Sequence, residues 1–176
     1  MRPEIFQSTK AAGIAGGTGA ALILFGAGFE NEVVAFGIAA ITVPLLGWGL
    51  YGLYLIHRET PTRLLTAGFW IAATGVIFLA GGYLFAVVAA VTDNDSLMDL
   101  ASLYAIIPGF LALLPLGLAA FGMAAISLRT LGPVKRYLPL MVAVGGLWGP
   151  QLLLLGFTVL GYVSWSHDRQ AEVAGS

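Results

Sequence analysis

Cysteine is absent from the 176 residues, which excludes disulfides, thiolate metal sites and cysteine nucleophiles. Charge is scarce. Asp, Glu, Lys and Arg make up 10% of the chain, against roughly 25% in an average soluble domain. So few charges cannot coat a globule of this size, so a soluble enzyme or nucleic-acid-binding domain is excluded. The formal net charge is −1, leaving no basic field to attract a polyanion, and no nucleic-acid partner is expected. Histidine occurs twice, at His57 and His167. Both fall outside the apolar stretches and at opposite ends of the threading derived below. They read as polar interface residues, not as ligands of one metal or haem.

Apolar residues, at 59%, fill the space that charge leaves. Five stretches contain no Asp, Glu, Lys, Arg or His: residues 11–29, 33–56, 64–91, 100–128 and 137–163. Each reaches the roughly 18 residues that carry a helix across about 30 Å of hydrocarbon. Within lipid every backbone N–H and C=O needs an internal partner, which a helix supplies. The short alternating segments of a membrane barrel are missing. The fold class expected is therefore all-α: one polytopic membrane domain, a bundle of five transmembrane helices with short loops. The first stretch follows Arg2 and Lys10 but exceeds the roughly 7–15 apolar residues of a secretory signal, so it reads as a retained helix.

Lysine and arginine mark the cytoplasmic side of short loops. Arg2, Lys10, Arg58, Arg63, Arg129, Lys135 and Arg136 fall on one side of a five-span threading, and only Arg169 falls on the other. Glu30, Glu32, Asp93, Asp95, Asp99, Asp168 and Glu172 fall opposite the basic loops. The expected topology has the N-terminus cytoplasmic and the C-terminus outside. Thr60-Pro61 and Ser96 with Asp99 read as helix starts, and Gly132-Pro133 as a break. Tyr83, Tyr104, Tyr162 and Trp165 form an expected outer aromatic belt, with Tyr51, Tyr54, Trp70 and Tyr137 as the inner one. The turn from Thr92 to Ser96 begins like a calcium loop but lacks the required glycine and distal glutamate.

Small side chains let helices approach closely where no hydrophobic drive exists. Gly13 and Gly17 hold GxxxG spacing in the first stretch, and Gly145 and Gly149 repeat it in the fifth. They suit packing inside the bundle or against another subunit. Pro44, Pro108, Pro115 and Pro150 interrupt apolar stretches, where each removes a backbone donor and kinks the helix. Gln151 is the strongest polar feature inside a stretch, beside Pro150 and Trp148. A carboxamide there either bonds a neighbouring helix or lines a pocket or path.

No stretch carries an ionisable side chain, so proton relays, carboxylate pairs and intramembrane metal cages are not expected, nor is an enzyme or a cofactor. The leading expectation is a non-catalytic accessory or scaffold subunit, or a homo-oligomeric bundle, in contact with membrane lipids and other membrane subunits. One alternative is a small transporter or channel using the proline-kinked helices and Gln151. Another is a site for an apolar molecule such as a lipid, quinone or carotenoid. The alanine- and glycine-rich, short-looped style points to a bacterial inner membrane.

Overall fold

The computed structural model describes residues 3–26, 28–57, 62–128, 135–148 and 151–162. Among them 94% are helical and none lies in a strand. In chain order the helices are α1 (Pro3–Gly26), α2 (Glu32–Ile56), α3 (Arg63–Thr92), α4 (Asp95–Leu128), α5 (Leu138–Leu147) and α6 (Gln151–Tyr162). A 3-10 turn, Lys135–Tyr137, leads into α5. Helices α2, α3 and α4 are long and apolar enough to cross a membrane. The apolar part of α1, Ala11–Gly26, and all of α6 are shorter.

The helix ends follow local chemistry. Asn31 caps α2 by accepting from the Val34 N–H at 3.2 Å, and Glu32 adds a negative charge beside the helix N-terminus. The start of α3 is capped by Thr62, which accepts from Leu65 N–H at 3.2 Å; Thr60 and Pro61 lie outside the described residues. Asp93 closes α3 in the left-handed region (φ 51°), which a short polar side chain tolerates. Asn94 then caps α4 through the Leu97 N–H at 3.0 Å, so the cap is Asn94 and not Ser96. The acidic turn is thereby used up in reversing the chain. Within α4, Ser102–Ile106 and Gly109–Leu113 widen into π turns on either side of Pro108. A proline supplies no N–H and crowds the preceding turn, and a wider turn relieves both.

The six helices close into a ring. A Cβ on Gly16 would lie 2.6 Å from the Gly49 Cα, so α1 and α2 touch backbone to backbone. The rings of Tyr54 and Phe69 stack at 4.6 Å between α2 and α3. Gly117 sits directly against Ala72 between α4 and α3. Gly122 faces Leu140 on α5, with 2.7 Å left between a Cβ and the Leu140 nitrogen. The ring is completed by α6, where a Cβ on Gly161 would lie 2.5 Å from the Gly13 carbonyl oxygen.

The expected fifth span, 137–163, is not one span. A Cβ on Gly156 would meet Val142 Cγ1 and Cγ2 at 2.6 Å, and one on Gly146 would meet Leu153 Cδ1 at 2.8 Å. Leu138 and Val159 line the same crevice. Such pairings arise only if α5 and α6 run antiparallel, so the chain doubles back around Trp148 and Gln151. At 1.5 Å per residue α5 rises about 15 Å and α6 about 18 Å, half of a 30 Å slab. Tyr162 thus lies at the end shared with Leu138, not across the bundle from it, and leaves the belt assigned to it. The physical cause is a break that frees the chain, followed by small residues on α6 that fit α5 and α1 better than lipid would.

One end of the bundle carries exposed Glu30, Glu32, Asp93, Asp95 and Asp99; the other carries Arg63, Lys135 and Arg136. We call these the acidic and basic ends. Leu46, Leu50, Leu79, Leu114, Leu118, Phe121 and Phe157 fill the centre and are fully or almost fully buried. Near the basic end His57 is also completely buried, contrary to its expected place at the interface. Its Nδ1 lies 3.0 Å from the Leu53 carbonyl oxygen, and its ring meets Phe121 edge-on at 5.3 Å. Outward surfaces are apolar all round, as with Ile41 (77% exposed), Ile77 and Leu103, which suits a hydrocarbon solvent.

Candidate functional site

Because α5 and α6 stop halfway, the space beyond their turn is not occupied by a sixth full-length wall. A cavity of about 190 Å³ sits there, lined by Ile23, Leu24, Tyr83, Ile106, Phe110, Gln151 and Leu154. Helices α1, α3, α4 and α6 each contribute. Gln151 is the first residue of α6, so its place at the cavity follows directly from the chain reversal. Phe110 belongs to the second π turn of α4, and Ile106 closes the first. An extra residue per turn rotates the following side chains, so the irregular stretch of α4 is the one that faces the cavity.

Five of the seven lining residues are purely apolar. The other two, Tyr83 and Gln151, carry the polar chemistry. Neither the Tyr83 hydroxyl nor the Gln151 carboxamide has a hydrogen-bond partner among the described residues. Phe110 and Phe36 hold the Tyr83 ring, with centroids 6.4 Å and 6.3 Å away. These contacts fix the phenol ring while leaving its oxygen uncommitted. Along α3, Tyr83 lies about 14 Å from the Thr92 end and about 30 Å from the Arg63 end. It lies in the half of α3 toward the acidic end, level with Phe36 near the start of α2. Tyr83 is half-buried and Gln151 exposed, and together they give this otherwise apolar cavity its polar side chains.

The structure disperses the other residues read as site candidates. Trp148 ends α5 and is 83% exposed, turned outward. Pro44 is exposed on the outer face of α2, and Pro108 is half-buried between the π turns. Pro115 is buried and lines a separate crevice of about 240 Å³ with Leu111, Ala112, Leu116, Ala119, Ala143 and Val144. Pro150 and Gly149 lie outside the described residues, as do Trp165, His167 and Arg169. Gly13 and Gly17 pack inside the chain against Gly161 and Thr158, and Gly145 against Leu152.

Sequence reasoning picked out Gln151 and missed Tyr83. The available signal was that Tyr83 is a phenol well inside an uncharged run. Among the described residues no three His, Cys, Asp or Glu side chains converge as a metal site would need. No family model matches the chain, and neither a curated protein nor a solved structure does.

Proposed function

We propose that this protein is a small non-catalytic integral membrane protein that holds a lipid-soluble molecule in the cavity between α1, α3, α4 and α6. The observation that carries this reading is that Tyr83 and Gln151, neither with a hydrogen-bond partner among the described residues, line one otherwise apolar space. A bound molecule carrying an acceptor oxygen would take a hydrogen bond from each. A through-path is less well supported, because leucines and phenylalanines pack the bundle's centre. Self-association through the GxxxG face of α1 is also weaker, since Gly13 and Gly17 are spent on α6.

The same reading places the chain in a bacterial inner membrane with its basic end in the cytoplasm, following the bias of lysine and arginine. Helices α1 to α4 cross, and α5 and α6 enter and leave on the basic side. Tyr162, the last described residue, then lies on that side. Isolation of the protein in native lipid discs, followed by extraction and mass spectrometry, tests the binding. One neutral lipid species should be enriched over the bulk membrane, and Tyr83→Phe combined with Gln151→Leu should abolish the enrichment. A lipid content equal to the bulk for the unaltered protein would overturn the reading.

A further inference from the structure

The cavity also restricts what its occupant can be. Resting on the binding reading above, we infer that the ligand is a ring-headed isoprenoid lipid of the quinone type, with its carbonyl oxygen between Tyr83 and Gln151. Four features lead there. No charged side chain lines the cavity, and an ion there would be buried without a counter-charge, so the head must be neutral. The lining is apolar apart from a phenol and a carboxamide, so no cationic side chain is there to receive a phosphate, whereas an uncharged carbonyl needs only a donor.

Size and shape narrow the class further. At about 190 Å³ the cavity is smaller than the roughly 300–1,000 Å³ that encloses a drug-sized ligand. It accommodates one head, and the tail runs out between helices into the surrounding hydrocarbon. The flat rings of Tyr83 and Phe110 meet at 80°, so a planar head in the cavity meets one ring by its face and the other by its edge. The Tyr83 O–H and the Gln151 N–H both donate, and a carbonyl oxygen accepts from both through its two lone pairs.

Titration of the purified protein in lipid discs with decylubiquinone, followed by tryptophan and tyrosine quenching, tests this. Saturable binding should appear, and Tyr83→Phe and Gln151→Leu should each weaken it about three- to tenfold, the range for a membrane hydrogen bond. Circular dichroism and gel filtration establish that each variant is folded. A long-chain alkylbenzene without carbonyl oxygens should bind at least tenfold more weakly. Equal binding of the alkylbenzene, or quinone binding indifferent to both substitutions, would overturn the quinone assignment while leaving an apolar site in place. If neither probe binds and native discs carry no enriched lipid, the binding reading falls as well. Enrichment of a different neutral lipid, with no quinone bound, refutes the class alone.

Discussion

The doubling back of α5 on α6 governs everything said of the cavity, and it can be tested by cross-linking. In the variant Val142→Cys with Gly156→Cys, the two Cβ positions are 3.0 Å apart. A disulfide spans roughly 3.5–4.5 Å between Cβ atoms, so a shift of about half an ångström suffices. The Val142 methyl carbons that crowd position 156 at 2.6 Å leave with the substitution, making room for the sulfurs. A continuous helix through the same residues would hold them about 21 Å apart, beyond any disulfide. The chain has no cysteine of its own, so the engineered pair reacts without background. Mild oxidation in membranes should close the bond nearly completely, read as protection from maleimide labelling that reductant reverses. Closing a loop of about 15 residues should also raise the unfolding free energy by up to about 3 kcal/mol. Gly37 has nothing within 4 Å of its Cβ position, so Gly37→Cys with Gly156→Cys serves as the unlinked control. Failure of the 142–156 pair to close, with each single cysteine reacting normally, would refute the hairpin.

Two further outcomes follow from the same packing. Gly161→Ala forces a methyl to within 2.5 Å of the Gly13 carbonyl oxygen, at an overpacking cost of about 1–3 kcal/mol less about 1 kcal/mol of gained helix propensity. Gly37→Ala, with open space around it, should instead gain up to about 1 kcal/mol, and thermal unfolding in mild detergent compares the two; equal midpoints would remove the α6–α1 seam. Reporters fused at Met1 and at Ser176 should both register on the cytoplasmic side, with a reporter at the Asp93 turn outside. A Ser176 reporter found outside would restore a fifth crossing.

Much of this molecule was legible as a one-dimensional pattern. The uncharged runs, the alternation of basic and acidic turns and the breaks near Pro108 and Pro150 are properties of consecutive residues. Hydropathy sums along the chain whatever the neighbours do. Gln151 stood out for the same reason, as an amide amid aliphatic side chains. Tyr83, which lines the same cavity, did not, because aromatic residues in an apolar run read equally as belt or wall until the neighbouring helices are known.

Composition alone determined that the chain is helical and that its long helices are apolar enough to cross a membrane, since in hydrocarbon the backbone has few ways to satisfy its own hydrogen bonds. Tertiary packing decided where the chain goes after Trp148. An interrupted helix can continue or reverse, and the choice depends on contacts between residues distant in sequence: Gly156 against Val142, Gly161 against Gly13 and Gly17. The burial of His57 against Phe121 and the placing of Tyr83 and Gln151 on one cavity were decided in the same way. They follow from which helices are neighbours, and that is fixed by the fit of surfaces, which no local stretch of the chain contains.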